Sequence, residues 1–543
     1  MVMGVETCAV CTQPANQRCG ACHVTYYCSR DHQRTDWKAH RQQCKPLCFK
    51  VCEDAVLGRH LVATRDILMG EVVLKESPLV AGPAQITVPV CLGCYSILTA
   101  ESAQPCTACG WPMCSSNCES SSAHAPECYF TATRHGSKVS VSNFGMSHPL
   151  YQCVTVLRLL HQRSHKPAAW GKLAALESHC QQRRRTPRYE DDRVAIAQFA
   201  RRFFKLDEFS EEDILRACGT IQVNGHEVPL TEPAHIAVYD TASLLEHNCR
   251  PNCSKSFTAT GGLIVRAAMP IERGQHLSIC YSDALWGTAS RRHHLAETKF
   301  FWCTCERCAD PTECGTFFSA LHCTCTRSCE GFLLPEEPLK EGAALEAAGW
   351  WSCTSCGGRL SPSDVQVIVD GVGRRLVNMQ KGDPASCERF VAQCEGELHP
   401  NHYYLTDVRL ALAQLYGQDH VDALRGTPEP ELRGKARLCR DVLSLVERLA
   451  PAEGRVRGVL QFELHATLAE MARRAAGRGE LDHVELSNSL LESKHLLTEA
   501  VFLLEYEPDS LPEGQVVIQA KRNLQEIDNL LQSIHDTIGD SPM

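Results

Sequence analysis

The chain has 543 residues, a formal net charge of −9 with histidine neutral, and 33 cysteines. Its length predicts about two to four domains, and its 44% hydrophobic and 22% charged residues are typical of a folded globular protein. The acidic balance argues against direct nucleic-acid binding. No apolar run reaches the roughly 18–20 residues that cross a bilayer, and residues 1–10 lack the pattern of a secretory signal, so we expect neither membrane association nor secretion.

Many of the cysteines fall in C-x2-C pairs, some of them followed by histidines. This spacing is typical of zinc ligands, whereas a disulfide scaffold would require an oxidising compartment. We therefore expect a reducing environment, the cytoplasm and/or the nucleus, in which these cysteines bind metal as thiolates.

Residues 1–46 form the first Cys/His-rich segment. Its candidate ligands are Cys8, Cys11, Cys19, Cys22, Cys28, His32, His40 and Cys44. Eight ligands fill two tetrahedral sites, which is the closed geometry of structural zinc. Because so short a segment cannot bury enough apolar surface to fold alone, zinc binding must supply its folding free energy.

Residues 47–80 have the pattern of short strands, with turns at Gly58 and Gly70. A second Cys/His-rich segment at 91–128 repeats the order of ligands in the first, with small changes in length. Its candidate ligands are Cys91, Cys94, Cys106, Cys109, Cys114, Cys118, His124 and Cys128. This segment predicts two further closed zinc sites.

Residues 146–217 have helical periodicity. Their basic run at 181–188, QQRRRTPR, ends a helical stretch and is expected to face water. Short strand-like runs return between 219 and 281. Among them, SLLEHNCRPNCSKSF at 243–257 has neither helical nor strand periodicity, so something other than regular secondary structure must hold it.

A third cysteine cluster covers residues 303–356, with zinc spacing in CTCERC at 303–308 and CTSC at 353–356. Its later part offers one cysteine more than a four-ligand site needs. We take as candidate ligands Cys325, Cys329, Cys353 and Cys356, with Cys323 as the alternative to Cys325. From about residue 385, amphipathic helices dominate and indicate an antiparallel array similar to tetratricopeptide repeats.

The two Cys/His-rich segments resemble the MYND zinc finger, and YYCSRDHQRTDWKAHRQQC at 26–44 closely matches its second half. The resemblance implies interleaved zinc sites. In the first finger these are Cys8, Cys11, Cys28 and His32, and Cys19, Cys22, His40 and Cys44; in the second they are Cys91, Cys94, Cys114 and Cys118, and Cys106, Cys109, His124 and Cys128. MYND fingers dock short proline-containing peptides, which implies peptide partners here.

Four further stretches carry a second resemblance. They are VLGRHLVATRDILMGEVVLKE at 56–76, the segment at 243–257, IERGQHLSICYSDALWG at 271–287 and KFFWCTCERC at 299–308. In this order they resemble a SET domain of the SET-and-MYND (SMYD) class, in which a MYND finger is inserted within the SET fold. LHPNHYYLTDVRLALAQLYG at 398–417 is similar to the start of the C-terminal helical domain of that class. The additional N-terminal finger is typical of its arthropod-type branch.

The resemblance implies an α+β multidomain fold with a mostly-β SET domain, a post-SET zinc region and a C-terminal all-α domain. The implied domains are an N-terminal finger at 1–46, the first part of SET at 47–90, the inserted finger at 91–128, a helical insert at 129–218, the SET core at 219–290, the post-SET region at 291–384 and the helical domain at 385–543.

A SET domain transfers a methyl group from S-adenosylmethionine to a lysine amine, and the resemblance assigns roles to residues here. Tyr281 matches the catalytic tyrosine. Cys249 matches the cysteine that completes the post-SET zinc site with Cys303, Cys305 and Cys308. The implied cofactor contacts are Arg59, His60, Asn224, Glu246, His247, Tyr281 and Phe301.

Four residues depart from the family pattern; Asn248, which replaces a serine, is the mildest change. Glu246 replaces an asparagine and cannot donate the hydrogen bonds of an amide. His60 replaces the second glycine of Gly-x-Gly. Lys299 falls where the family usually has a channel tyrosine, and its charge would repel a lysine substrate.

Two interpretations of function remain. The first is an S-adenosylmethionine-dependent protein-lysine N-methyltransferase with at least five zinc ions, acting on a histone or non-histone protein. The alternative is a catalytically weak or inactive scaffold that recruits protein partners through its fingers and helices, in transcriptional regulation. In both, the zinc ions are structural, because closed sites leave no coordination position for catalysis.

Overall fold

The structure is a computed structural model that describes residues 7–15, 17–22, 25–42, 44, 46–132, 138–325, 329–342, 349–417 and 423–539. Over these residues the chain has the α+β multidomain architecture that the sequence predicts. Cys/His clusters alternate with small β-sheets in the N-terminal two thirds, and helices form the C-terminal third.

The N-terminal finger is a short hairpin followed by one helix. β1 (Gln17–Arg18) pairs with β2 (Tyr26–Tyr27), and α1 (Arg30–His40) follows. The hydroxyl of Ser29 accepts the backbone N–H of His32 and caps α1. Because no residue of α1 is buried, apolar packing alone cannot hold this helix in place.

Four strands begin the SET core before the second finger. They are β3 (Phe49–Asp54), β4 (Gly58–Ala63), β5 (Val72–Glu76) and β6 (Val80–Pro83). β3 and β4 form an antiparallel hairpin. Gly58 and Gly70 have φ values of +67° and +83°, a backbone region that favours glycine at both turns.

The second finger and the helical insert follow. The finger contains β7 (Gln104–Pro105), β8 (Pro112–Met113), α2 (Ser116–Glu119) and α3 (Ala125–Phe130). The insert contains α4 (Tyr151–His165), α5 (Pro167–Ala174), α6 (Cys180–Arg183), α7 (Pro187–Asp192), α8 (Phe199–Phe203) and α9 (Glu211–Asn224).

A buried arginine joins the second finger to the insert. Arg158 of α4 donates to the carboxylate of Glu127 in α3, with Nη2 2.7 Å from Oε1, and to the carbonyl of Leu92 at 2.6 Å. The same carboxylate lies 3.0 Å from Nδ1 of His124. The inserted finger is therefore attached to the helices by a satisfied ion pair as well as by apolar contacts.

The structure differs from the sequence expectations for the insert at one boundary and at one residue. Strand-like structure was expected from 219, but α9 continues to Asn224. Its side chains stay buried as far as Thr220, so packing extends the helix past the expected boundary. The basic run faces water at most of its positions, as expected, but Arg183 is an exception and is 1% exposed. It is buried because its guanidinium pairs with the carboxylate of Asp192.

Six further strands complete the SET core. They are β9 (Gly225–Val228), β10 (His235–Val238), β11 (Glu246–His247), β12 (Cys253–Phe257), β13 (Leu263–Ala267) and β14 (Ser278–Ile279). They form sheets of order β6-β10-β9 and β12-β13-β5, and β11 pairs with β14 in parallel. The buried core of the SET domain combines residues from the earlier and later strands, including Leu61, Leu74, Tyr239 and Val265.

The post-SET region contains α10 (Thr288–Lys299), α11 (Glu306–Ala309) and a four-stranded antiparallel sheet. The strands of this sheet are β15 (Leu321–His322), β16 (Phe332–Pro335), β17 (Trp351–Cys353) and β18 (Arg359–Leu360). We call this sheet, with its cysteines, the ribbon.

Seven helices follow the ribbon. They are α12 (Pro362–Val377), α13 (Pro384–Cys394), α14 (Tyr403–Leu415), α15 (Glu429–Leu449), α16 (Gly454–Gly477), α17 (His483–Leu504) and α18 (Pro512–Gly539). Consecutive helices pack against each other, which confirms the predicted C-terminal helical region. None of the described helices combines the length and the apolar character that crossing a membrane requires.

Arg266 of β13 attaches the SET core to the C-terminal helices. Its guanidinium donates to the carbonyls of Phe502 and Leu503, at 2.8 and 3.0 Å, where α17 ends. It also contacts the carboxylate of Glu505 at 2.7 Å and lies 5.1 Å from the ring centroids of Phe502 and Tyr506. This single side chain thus satisfies carbonyls that the helix end leaves without partners.

Candidate active site and metal centres

A cavity of about 1720 Å³ lies where the SET core, the helical insert and the post-SET region meet. The structure brings to its wall every residue that the sequence analysis assigned to catalysis or cofactor contact: Arg59, His60, Asn224, Glu246, His247, Tyr281 and Phe301. This volume exceeds the roughly 300–1,000 Å³ of a drug-sized site, so the cavity has room for a cofactor and a substrate side chain together.

Tyr281 follows β14, and its hydroxyl donates a hydrogen bond to the backbone carbonyl of Leu245, just before β11. Burial, reinforced by the nearby Glu246 carboxylate, raises the pKa of Tyr281 above its ordinary value. The phenol is therefore protonated at neutral pH. It acts as a hydrogen-bond donor and a dipole at the cavity wall, not as a base.

His247 connects the tyrosine to the nearest cysteine cluster. Its Nδ1 accepts the backbone N–H of Tyr281 at 3.0 Å, and its Nε2 lies 3.3 Å from Sγ of Cys249. Because Nδ1 is the acceptor, Nε2 carries the proton and donates it toward the sulfur. The imidazole is thus fixed from both sides, between the strand that carries Tyr281 and the post-SET cysteines.

The post-SET cysteines converge on one point. The ligand atoms of Cys249, Cys303, Cys305 and Cys308 all lie within 4.8 Å of one another, and Sγ of Cys249 is 3.9 and 3.5 Å from those of Cys303 and Cys308. A tetrahedron with Zn–S bonds of about 2.3 Å has edges of about 3.8 Å. The four thiols therefore fit a structural zinc ion.

A buried carboxylate positions the start of the segment at 243–257. Glu76 of β5 is 3% exposed, and its two oxygens accept the backbone N–H groups of Thr241 and Ala242, each at 3.0 Å. These amides begin a short 3₁₀ turn at 242–244. The carboxylate therefore caps the turn that leads into β11.

Asn252 holds the other end of this irregular segment. Its Oδ1 accepts the backbone N–H of Ser278 at 2.9 Å, and its Nδ2 donates to the carbonyl of His276 at 2.7 Å. The amide thereby takes the place of a strand partner beside β14. Together with the cysteine cluster, Glu76 and Asn252 explain how a segment without periodicity is held.

Glu246 has a partner that the sequence analysis did not identify. Nδ1 of His276 lies 3.0 Å from Oε2 of Glu246, and the ring of His60 stacks on that of His276 with centroids 4.6 Å apart. Nδ1 of His60 is 3.0 Å from the carbonyl of Gly58. The two departures Glu246 and His60 are therefore parts of one cluster, which fixes a carboxylate at the cavity wall.

Lys299 reaches the cavity from the end of α10. Its Nζ donates to the carbonyls of Val223 and Gln222, at 2.8 and 3.2 Å, and lies 5.8 Å from the ring centroid of Tyr281. Burial, followed by the charge of Lys255, lowers the pKa of Lys299 to about 8. Lys255 also lines this cavity, but its position in a strand does not indicate this from the sequence alone.

The remaining predicted contacts lie at the rim of the cavity. Nδ2 of Asn224 donates to the carbonyl of Thr220 at 2.9 Å, and Nη2 of Arg59 donates to the carbonyl of Ala175 at 2.6 Å. Phe301 is 37% exposed, which leaves its ring available to a flat ligand.

Both fingers bring their candidate ligands together in the interleaved pairing. The four groups are Cys8, Cys11, Cys28 and His32; Cys19, Cys22, His40 and Cys44; Cys91, Cys94, Cys114 and Cys118; and Cys106, Cys109, His124 and Cys128. Within each, the ligand atoms lie within 4.8 Å of one another, so each group has the dimensions of a closed zinc site. Nδ1 of His124, turned away from the sulfurs, contacts Glu127, as is usual for a histidine ligand.

The contacts in the ribbon bear on the choice between Cys323 and Cys325. Sγ of Cys323 lies 3.6 Å from that of Cys356, and Sγ of Cys329 lies 3.5 Å from that of Cys353. Cys325 instead donates its backbone N–H to Sγ of Cys323, at 3.4 Å. The four sulfurs that accept such N–H groups belong to Cys323, Cys329, Cys353 and Cys356. This pattern suits thiolates, which favours Cys323, the alternative, over Cys325 as the fourth ligand.

Comparison with known proteins supports this organisation. Residues 8–44 match the MYND finger family, and residues 58–282 match the SET domain family. SET domain-containing protein SmydA-8, isoform A, of Drosophila melanogaster is 25% identical over 424 residues, which cover 77% of this chain and 88% of that protein. Histone-lysine N-methyltransferase SMYD3 of Mus musculus is 33% identical over 130 residues, covering 22% of this chain and 30% of that protein.

Protein-lysine N-methyltransferase SMYD4 of Mus musculus is 28% identical over 186 residues, covering 33% of this chain and 22% of that protein. A solved SET domain of LSMT, bound to lysine and AdoHcy, covers 93% of this chain and 95% of its own at 12% identity, with a TM-score of 0.29 that is too low to support an inference. The chain therefore combines a MYND finger with a SET domain, and its extended similarity to SmydA-8 and its helical C-terminal region are consistent with a protein of the SET-and-MYND (SMYD) family.

Proposed function

We propose that the protein is an S-adenosylmethionine-dependent protein-lysine N-methyltransferase. The observation that carries the proposal is the neutral phenol of Tyr281 at the wall of a cavity that the post-SET cysteines help to enclose. When bound, S-adenosylmethionine supplies a methyl group to an unprotonated lysine amine in one in-line displacement. Relatives whose names describe lysine methyltransferases add support.

The residues at the cavity wall suit a cationic methyl donor. Glu246, held by His276, provides a fixed negative charge that attracts an ammonium or sulfonium group. The exposed ring of Phe301 offers an apolar surface for a nucleobase, and its neighbour in space is the ring of His247, 5.8 Å away between centroids. Glu246 thus compensates by charge for the amide donors that it lacks.

The chain also favours a neutral amine near Tyr281. The surroundings that lower the pKa of Lys299 to about 8 would lower that of an entering lysine in the same way, so the substrate releases its proton to solvent more readily. The hydroxyl of Tyr281 and the carbonyl of Leu245 then orient the amine, which is the positioning contribution expected of a SET site.

Tyr281→Phe tests the proposal because it removes one hydroxyl and keeps the ring. We expect calorimetry to show S-adenosylmethionine affinity within about twofold of the parent protein, whereas methyl transfer to protein lysines falls by at least about tenfold, the factor that ~1.4 kcal/mol of lost orientation represents. Absence of cofactor binding by the parent protein at high concentration would rule the function out.

In the alternative interpretation, the protein is a scaffold whose fingers bind peptides of partner proteins. Trp37 on α1 is 43% exposed, and an exposed aromatic side chain is suited to stacking on a proline-containing peptide. We propose such peptides as partners of the N-terminal finger. Fluorescence anisotropy with a proline-rich peptide should show binding that Trp37→Ala weakens and Tyr281→Phe leaves unchanged; equal binding by the Trp37 variant contradicts the assignment.

A further inference from the structure

A second cavity, of about 170 Å³, lies where α10, the ribbon, α12 and α14 meet. We call it the junction cavity. Its volume is below the roughly 300–1,000 Å³ of a drug-sized site, so it has room for a molecule of about one ring. Its apolar walls are the side chains of Trp302, Trp351, Tyr403, Tyr404, Pro335 and Pro338.

Three side-chain atoms of residues that line the junction cavity have no hydrogen-bond partner within the part of the chain that the structure describes. They are Nε1 of Trp351, Nε2 of His402 and Oε1 of Gln366. Trp351 is 2% exposed and His402 is fully buried. Because a buried polar atom without a partner costs about 1–3 kcal/mol, three such atoms on residues that line one cavity point to an occupant that supplies the missing bonds.

The hydrogen-bonding role of each atom follows from its neighbours. Nδ1 of His402 accepts the backbone N–H of Tyr404 at 3.3 Å, and burial lowers the pKa of His402 to about 3. The ring is therefore neutral, with its proton on Nε2. Nε2 of Gln366 donates to the carboxylate of Asp370 at 2.7 Å, which leaves Oε1 as an acceptor. The indole N–H of Trp351 can only donate a hydrogen bond.

We propose that the junction cavity binds a small planar molecule carrying a carboxamide. Its carbonyl oxygen accepts from the N–H groups of Trp351 and His402, its own N–H donates to Oε1 of Gln366, and its ring packs against the aromatic walls. This inference goes beyond the proposed methyltransferase activity and does not depend on it.

Other occupants match these groups less well. A carboxylate has no proton for Gln366 and would face the carboxylate of Asp370. The guanidinium of Arg292 cannot compensate, because it already donates to four backbone carbonyls between residues 303 and 340. A cation would oppose two N–H donors. Water can form all three hydrogen bonds, but it leaves the aromatic side chains hydrated. A ligand with an apolar ring therefore displaces the water favourably.

Trp302 lies between the junction cavity and the larger cavity that Tyr281 lines. This residue lines both cavities, and its ring lies 5.2 Å from the guanidinium carbon of Arg292 in α10. Its neighbour Phe301 lines the catalytic cavity. A ligand that packs against Trp302 from the junction side therefore contacts the same wall that bounds the candidate cofactor site.

The test uses the full-length, zinc-loaded protein and ligand-observed NMR with three matched probes. Nicotinamide carries the carboxamide, 3-acetylpyridine keeps the carbonyl without the N–H, and nicotinate replaces the amide by a carboxylate. We expect nicotinamide to bind at least about fivefold more tightly than either, since one lost hydrogen bond is worth about 1 kcal/mol. Trp351→Phe and Gln366→Met should each weaken nicotinamide binding by at least about fivefold.

Tyr281→Phe serves as the control, because its hydroxyl lies in the other cavity and its loss should leave nicotinamide binding unchanged. Thermal melts and zinc content establish that each variant is folded. Because Gln366 lies on α12, outside the ribbon, Gln366→Met leaves the zinc-binding cysteines unchanged. Equal binding of the three probes, or nicotinamide binding that neither variant weakens, overturns the proposal. The proposal is also overturned if crystals grown with nicotinamide show only ordered water in the junction cavity.

Discussion

Lys299 illustrates how one substitution changes the chemistry expected of the site. A tyrosine at this position would place a neutral side chain at the cavity wall, whereas Lys299 places an amine 5.8 Å from the ring centroid of Tyr281. Its contacts to the carbonyls at the end of α9 hold it there. Because burial lowers its pKa to about 8, the amine is mostly charged at pH 7 and mostly neutral above pH 9.

The pH dependence of methyl transfer should therefore change when this amine is removed. Below pH 8 the Lys299 ammonium repels an entering lysine, so we expect Lys299→Met to raise kcat/KM at pH 7 by up to about tenfold, equivalent to ~1.4 kcal/mol. The acid limb of the profile should move to lower pH, and parent and variant should converge above pH 9.

Lys299→Arg is the matched control, because arginine keeps its charge at every accessible pH. This variant should remain slow where the parent protein becomes faster, between pH 8 and 9. Parallel pH profiles for all three proteins would show that the charge at this position does not affect substrate entry.

At the residue level, motifs identified the groups that bind or react but not those that hold them. Tyr281 and Cys249 stand in recognisable sequences, and the structure places both at the predicted location. The supporting roles of His276 and Glu76 could not be predicted from the sequence, because their partners Glu246 and Thr241 are distant in the chain. A single sequence carries no signal for such pairs.

At the level of elements, the ribbon shows what a spacing pattern leaves open. Five cysteines satisfied the zinc pattern equally well in the sequence. The structure distinguishes between them by the backbone N–H groups of residues 325, 331, 355 and 358, which donate to four sulfurs, and by the contact of Cys323 with Cys356. Similarly, α9 extends further than its periodicity suggested, since a helix ends where its packing and capping end.

The zinc content provides a direct count of these clusters. The fingers, the post-SET cysteines and the ribbon offer six groups of four ligands, so native mass spectrometry should detect six zinc ions per chain. Cys323→Ser should reduce the count to five, because serine is a much poorer zinc ligand. Cys325→Ser is the control and should retain six; five ions in that variant would return Cys325 to the ligand set.

At the level of the whole molecule, the order of fingers, SET core and C-terminal helices could be predicted from the sequence, whereas their attachments could not. Two of the contacts that join these parts are made by single buried arginines. Arg158 binds the second finger to the insert, and Arg266 binds the SET core to α17. An arginine in a strand or helix gives no sequence sign of a partner 236 residues away.

Arg266→Met should separate the stability of the C-terminal helices from that of the SET core. Methionine keeps apolar contact with Phe502 and Tyr506 but leaves the carbonyls at the end of α17 without their donor, at a cost of about 2–4 kcal/mol. We expect the thermal melt to move to lower temperature and to split into two transitions. Arg440→Met, which breaks an exposed pair with Glu492 whose side chains are both 51% exposed, should change stability by less than about 1 kcal/mol. If both variants melt alike, the helices are held to the SET core by their apolar surfaces, and Arg266 contributes no more than any surface arginine.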